Sequence, residues 1–174
     1  MADKIILTTN RLVLREFNTG DAAFVLKLVN SPDYIKYIVD RNVKSEEDAK
    51  RFIENDFLQS YAQHGFGSFH ASLSINGRPI GSGGLKKRDY LDYPDLGYVL
   101  LPEYYGSGYA FEMAQALLYY GIKQLGFRKI HAMILPENKR SLHLISKLDF
   151  YFDGEFILPT SGELISLYSY TSPF

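Results

Sequence analysis

Between residues 11 and 16 apolar and charged side chains mix at the two-residue spacing of a strand, whereas over 21–30 the apolar positions, Phe24 and Leu28 among them, fall at helical spacing. Ser31-Pro32-Asp33 breaks that helix and opens a short helical turn through Tyr37. Ser45-Glu46-Glu47-Asp48 sets a capping hydroxyl before a run of first-turn acids, which predicts a helix to about Tyr61. Residues 68–75 and 78–85 read as the arms of a hairpin around Asn76-Gly77, whose tolerance of positive φ suits a two-residue turn. Gly81, Gly83 and Gly84 make the second arm unusual, since glycine weakens a strand but permits a bulge or the close approach of another molecule. After a polar turn over 86–94, residues 95–101 form a third adjoining strand.

A glycine-rich tract at 105–110 leads into a helix over 111–125, with Ala110, Met113, Ala114, Leu117, Leu118, Ile122 and Leu125 on one broad face and Gly126 as its stop. Residues 129–134 then read as a buried strand, 138–148 as a short helix, and 150–156 with 164–170 as a terminal antiparallel pair. No repeat, linker or low-complexity stretch interrupts this order. With 174 residues and 46% hydrophobic content, the chain suffices for one well-packed core and is short for two, so residues 1–174 are expected to form a single domain.

Charge excludes more than it suggests. Lys and Arg total 19 against 20 Asp and Glu, leaving no bulk electrostatic case for nucleic acid or an anionic membrane as partner. Cysteine is absent, which removes thiol nucleophiles, disulfides and thiolate metal sites. Met1-Ala2-Asp3-Lys4-Ile5-Ile6-Leu7 has too short an apolar run for a signal peptide, and no stretch approaches the ~18 residues of a membrane span, so a cytoplasmic location is expected. The 14 Tyr and 12 Phe point to an aromatic-lined core or cleft without deciding between them.

The tract Tyr105-Gly106-Ser107-Gly108-Tyr109-Ala110 carries the chemistry. Two residues without a Cβ let the backbone turn sharply and bring several N–H groups together, and the first turn of the following helix adds its dipole. A phosphate-bearing cofactor fits such a cradle. Phe111 stands where a dinucleotide fingerprint wants a third small residue, and Gly108-Tyr109-Ala110 stands where a P-loop wants Gly-Lys-Ser/Thr. Taken alone, the tract divides evenly between an anion cradle and a strand-to-helix turn that binds nothing.

Strand, Gly-x-Gly turn, long helix, strand, Pro136-Glu137-Asn138-x-x-Ser141, short helix and Leu148-Asp149-Phe150 in this order resemble the GNAT superfamily of acyl-CoA-dependent N-acetyltransferases. Asp95-Leu96-Gly97-Tyr98 followed by Pro102-Glu103-Tyr104-Tyr105-Gly106-Ser107-Gly108-Tyr109-Ala110, with the opening Thr9-Asn10-Arg11-Leu12-Val13-Leu14-Arg15, is similar to the branch containing the ribosomal-protein N-terminal acetyltransferases. The resemblance spans about residues 8–170. It implies an α/β (α+β) fold, a mixed, curved sheet of six to seven strands with helices on both faces and a V-shaped split between two central parallel strands, which admits acetyl-CoA. By the same resemblance Tyr105, Gly106, Ser107, Gly108, Tyr109 and Ala110 hold the pyrophosphate, Val99, Leu100 and Leu101 pair with the pantetheine arm, and Asn138 and Ser141 contact the arm and its sulfur.

Asn138 is also a routine N-cap, worth about 1 kcal/mol, and Ser141 in the first turn can bond backbone or solvent; both roles are compatible with facing a cofactor. Many members of the superfamily protonate the departing thiolate with a Tyr at the position matched by Ile145. Isoleucine has no proton to give, so Ser141, or a water it holds, is the expected donor. His143 points to another side of the helix, and His64, His70 and His131 show no paired metal spacing, so no metal is expected.

The implied reaction is direct attack of a primary amine on the acetyl thioester, without an acyl-enzyme, with backbone N–H groups near Val99, Leu100 and Leu101 polarising the carbonyl. Deprotonating a lysine-like amine of pKa ~10.4 at pH 7 costs roughly 4 to 5 kcal/mol, and an α-amine near ~8 only about 1. Glu103 leads the candidate bases, with Asp95, Glu155 and Glu163 behind it. Where the ribosomal-protein branch tends to have an acid between the last two strands, this chain has Pro159-Thr160-Ser161, which favours an α-amine or another weakly basic amine over a lysine side chain. Residues 21–61 and 86–94 are expected to line the acceptor side, with Tyr34, Tyr37 and Tyr93 as acceptor contacts and Tyr90 beside them. The acceptor is then a protein N-terminus or a small molecule, and an edge strand is available for a homodimer. A non-catalytic acyl-CoA-binding regulatory module is the rival from another class. Asp149, in place of the family's usual Gly, predicts a left-handed helix exit at some cost.

Overall fold

Two short antiparallel strands, Ile5–Thr8 (β1) and Leu12–Arg15 (β2), open the computed structural model, which describes residues 3–173. Helices Ala22–Val29 (α1), Pro32–Tyr37 (α2), Glu46–Phe52 (α3) and Gln59–His64 (α4) follow, with a π-helical segment, Ile53–Leu58, joining α3 to α4. Strands Ser68–Leu73 (β3), Pro79–Lys86 (β4) and Asp95–Leu100 (β5) precede the long helix Tyr109–Lys123 (α5). Lys129–Ile134 (β6), Lys139–Ser146 (α6), Tyr151–Ile157 (β7) and Leu164–Thr171 (β8) complete the chain. The sheet has the order β1-β2-β3-β4-β5-β6-β8-β7 and is antiparallel except where β5 meets β6.

Local chemistry sets the element ends. Ser45 accepts the Asp48 N–H at 3.1 Å and caps α3. Asp149 leaves α6 with φ 59, as its position predicts. The sheet has eight strands rather than six or seven, because Ile5-Ile6-Leu7, too short to show alternation, finds a partner in β2. The β3–β4 turn is longer than two residues: the Leu73 N–H reaches the Arg78 carbonyl and the Gly77 N–H the Leu73 carbonyl, enclosing residues 74–77. Gly77 has φ 68, but Asn76 does not share a positive φ; its side chain accepts the Arg78 N–H instead. The glycines of β4 admit the protein itself rather than another molecule. A Cβ on Gly84 would lie 1.9 Å from the Gly67 carbonyl oxygen, and one on Gly83 2.8 Å from Met113 Sδ.

Alternation divides the packing between two faces. Leu96 and Leu100 of β5 join Met113, Leu117 and Ile145 on the face covered by α5 and α6. Val99 and Leu101 join Val25, Leu28, Ile53 and Phe57 under the α1–α4 layer. Strands β5 and β6 share one register pair, Asp95 with His131, and part beyond it. At the parting Asp95 Oδ1 accepts the Met133 N–H at 3.1 Å, where a continuing strand would have offered a carbonyl. The expected split is thus built in, with a buried carboxylate at its vertex. No helix among the described residues is long and apolar enough to cross a membrane.

Candidate active site

The wide end of the split is the glycine turn. Beyond β5 a single 3₁₀ turn, Pro102–Tyr104, leads to Gly106 and Gly108 with φ 74 and 80, a hand that L side chains rarely take. Because Gly108 is the N-cap of α5 and brings no capping side chain, the first-turn N–H groups of a fifteen-residue helix stay open to an anion. A Cβ on Gly106 would meet nothing within 4 Å, so the turn presents backbone outward.

Two arginines flank this turn, neither of them foreseen as a site residue. Arg11, from the β1–β2 hairpin, donates through Nη1 to the Ser107 carbonyl at 2.9 Å, pairs through Nε with Glu112 at 2.6 Å and lies over the Tyr109 ring. Arg140, in the first turn of α6, lies 4.5 Å over the Tyr105 ring and is ion-paired with Asp33 of α2, which ties α2 to the start of α6 and the glycine turn. The Tyr105 hydroxyl below is buried without a hydrogen bond among the described residues, and burial together with Asp33 raises its pKa to about 12.

Along the split the expected residues take distinct positions. The Leu101 N–H is committed to the Ile80 carbonyl at 2.8 Å, and by alternation Val99 shares that direction. Leu100 and Tyr98 therefore present their backbone groups to the gap, so of the run 99–101 only Leu100 can pair with an inserted arm. Asn138 caps α6 by accepting the Ser141 N–H at 3.2 Å. Ser141 is half-buried, and the buried Tyr98 hydroxyl comes beside it. Burial pushes that phenol up to about 12, Ser141 offsets part of the push, and the hydroxyl completes no hydrogen bond within the described residues. Tyr98 was missed because its role depends on which face of β5 meets α6. Ile145, 1% exposed, is plain core.

The carboxylates expected to serve as base are otherwise engaged. Glu103 is exposed on its 3₁₀ turn, and Lys27 at 2.7 Å holds its pKa below the usual carboxylate range, which makes it a poor proton acceptor. Asp95 is divided between Arg88 and the Met133 N–H. Glu155 and Glu163 sit on the outer hairpin beside Ser166 and Ser161. Among the acceptor-side tyrosines, Tyr34 is 6% exposed and belongs to the helical core, a correction that follows from its place under α1 and α3. Tyr37 is half-buried beneath Lys36, Tyr93 is exposed with its ring edge-on to His131, and Tyr90 lies near Phe156. Among the described residues no cluster of His, Asp and Glu could hold a metal ion.

Comparison with known proteins agrees with this geometry. Residues 11–151 match the family model of the acetyltransferase (GNAT) domain. The uncharacterized N-acetyltransferase YnaD of Bacillus subtilis (strain 168) is 31% identical over 166 residues, 94% of each chain. The crystal structure of a GNAT-family acetyltransferase from Bacillus anthracis superimposes with a TM-score of 0.78 at 28% identity, covering 96% of this chain and 98% of that one. RimL, a ribosomal L7/L12 α-N-protein acetyltransferase in complex with coenzyme A, shares the fold with a TM-score of 0.79 at 16% identity, over 97% of this chain and 98% of its own. A strand that parts from its parallel neighbour and runs into an uncapped glycine turn is thus the architecture of a known class, and the chain belongs to the GNAT family of N-acetyltransferases, acyltransferases that deliver an acetyl group to an amine.

Proposed function

We propose that this enzyme moves the acetyl group of acetyl-CoA onto a weakly basic primary amine, the α-amine of a peptide or a small-molecule amine. One observation carries the reading: the free backbone groups of Tyr98 and Leu100 lead along the split directly to the exposed turn at Gly106 and the uncapped first turn of α5, with Arg11 and Arg140 on either side. The length, polarity and charge of that path fit a pantetheine arm ending in a pyrophosphate. The co-substrate supplies an activated acyl carbon.

The chain's own residues position and polarise. The Leu100 and Tyr98 amides hold the arm by strand-like pairing, and the α5 N-terminus with Arg11 neutralises the phosphates. Ser141, with Tyr98 beside it, returns a proton to the leaving sulfur. The high pKa of Tyr98 suits a donor that stays protonated until thiolate forms. The acceptor enters from the α1–α4 side, and the commitment of Glu103 to Lys27 favours an amine that is easily deprotonated.

Calorimetry with acetyl-CoA tests the reading on wild type and on Gly106→Trp, whose side chain projects into open space in front of the turn and not into the protein. Micromolar binding abolished in a folded variant is the expected result. No binding by wild-type protein overturns it. Binding without turnover of any amine leaves a non-catalytic acyl-CoA-binding module.

A further inference from the structure

We infer that His131 is the proton acceptor for the attacking amine, held in its reactive tautomer by a hydrogen-bonded line through Ser169 to Asp153. The inference rests on the acetyltransfer reading above, in which Glu103 and Asp95 are held by cations and Glu155 and Glu163 lie on the outer hairpin.

Position comes first. His131 forms the last register pair with Asp95, so it stands at the closed end of the split. From Leu101 back to Gly97 the strand covers about 13 Å. A pantetheine arm anchored by its pyrophosphate at the glycine turn therefore brings its thioester end, the part farthest from the anchor, toward this vertex. In a parallel pair, residues in register share a face, which puts His131 with Asp95, Gly97 and Val99 on the acceptor side. Gly97 is exposed, and nothing lies within 4 Å of where its Cβ would be, so the face opens two residues along β5 from the vertex, where His131 itself is 4% exposed.

Hydrogen-bond accounting fixes the tautomer. Ser169 Oγ lies 2.6 Å from Asp153 Oδ2 and 2.7 Å from His131 Nδ1. An ionised carboxylate only accepts, so the single hydroxyl proton of Ser169 goes to Asp153, and Nδ1 must carry the proton that Ser169 Oγ accepts. Nε2, the distal atom of the ring, is left with its lone pair and has no partner among the described residues. Lys129 pairs with Asp153 at 2.7 Å and keeps that carboxylate ionised. The groups around the ring are Lys129 on β6, Asp153 on β7, Asp95 on β5 with its partner Arg88, and Asp92 and Tyr93 in the preceding loop. Burial and Lys129 hold the imidazole below its ordinary pKa while the three aspartates oppose them, so the ring is neutral at neutral pH and its imidazolium is not isolated.

The step balances as follows. The ammonium of the acceptor gives one proton to Nε2. The freed nitrogen pair attacks the thioester carbon, a C–N bond forms, and the C–S bond breaks with its electron pair on sulfur. Sulfur takes its proton from the Ser141–Tyr98 pair, the nitrogen's second proton passes through solvent to restore that pair, and the first leaves Nε2 as the one net proton released. Whatever the imidazole's own pKa, taking a proton from an ε-amine near ~10.4 is about 250-fold less favourable than taking one from an α-amine near ~8, so the same residue selects weakly basic acceptors.

Two measurements test the inference. In the free protein, imidazole ¹⁵N shifts of His131 near neutral pH should show protonated Nδ1 and bare Nε2, a preference lost in Ser169→Ala; an Nε2–H tautomer in wild type overturns the proposal whether or not an acceptor is known. His131→Asn keeps a donor to Ser169 and removes the distal nitrogen. It should lower kcat by about 10² to 10³ at pH 7, leave acetyl-CoA binding within twofold, and recover toward wild type as pH rises to the acceptor's own pKa. A loss below threefold, or one that does not change with pH, overturns it. Failure of wild-type acetyl-CoA binding is a separate result and counts against the acetyltransferase reading instead.

Discussion

His70 shows how a single residue escapes the pattern that surrounds it. In sequence it is a polar residue in a strand arm, and at strand spacing it falls on the face opposite Phe69 and Ala71. In the fold it is 2% exposed between the edges of Phe17 and Phe24, and neither ring nitrogen has a partner among the described residues. Burial, helped by Arg15, lowers its pKa to about 4, against Asp21 and Asp3, which pull the other way. From pH 6.5 down to 4 the unfolded chain binds a proton here and the folded chain does not, so stability falls with pH across that window and is insensitive to this group outside it. The span corresponds to about 3 kcal/mol. Urea midpoints should therefore drop between pH 6.5 and 4 in wild type and much less in His70→Leu; equal drops would show that His70 is solvated. Asp21, held below its ordinary pKa by Arg15 against the cost of its burial, contributes stability that is lost only at lower pH still, so the two effects separate.

At the scale of elements, tertiary contacts decided what periodicity left open. Ala49, Ile53, Phe57 and Tyr61 recur every four residues, and an α-helix of 3.6 residues per turn would rotate that stripe by about 40° at each step. The π segment at 53–58 widens the turn and keeps the stripe on buried partners, with Phe57 stacked on Phe17 at 4.4 Å and Tyr61 on Phe69 at 5.6 Å. The four-residue repeat was legible; its meaning depended on the sheet beneath it. Glu112 at the start of α5 likewise binds elements a hundred residues apart, accepting the Thr9 hydroxyl and the Arg11 N–H and Nε. Its pKa is depressed by these donors, so its contribution is present above the ordinary Glu range and lost as pH falls. Glu112→Ala should lower stability by roughly 1 to 3 kcal/mol, read as a shifted denaturant midpoint at constant slope, and should weaken acetyl-CoA binding by freeing Arg11 from the glycine turn. Unchanged affinity in the destabilised variant would mean that Arg11 needs no such anchor.

For the whole molecule the decisive feature is a sheet divided along β5 and β6, joined by one register pair and a carboxylate. Filling that division with a strand-like ligand should stabilise the fold by about 2.7 kcal/mol at a hundredfold excess over Kd, which for a chain of this size raises Tm by about 5 to 10 °C. The amides of Tyr98 and Leu100, which face the gap, should become protected from hydrogen exchange while that of Leu101, already bonded to Ile80, changes little. Equal protection at all three would refute the assigned strand polarity. By itself the sequence determined the order and type of most elements, the glycine turn, the Asn138 cap and the family, because these depend on local conformational preference and on spacing along the chain. It could not determine that Arg11 and Arg140 converge on one turn, that Tyr98 meets Ser141, that Glu103 is taken by Lys27 and Tyr34 by the core, or that His131 stands at the vertex with Ser169 and Asp153 behind it. Those pairings follow from strand order, register and face, which bring together residues far apart in the chain, and only the folded sheet supplies them.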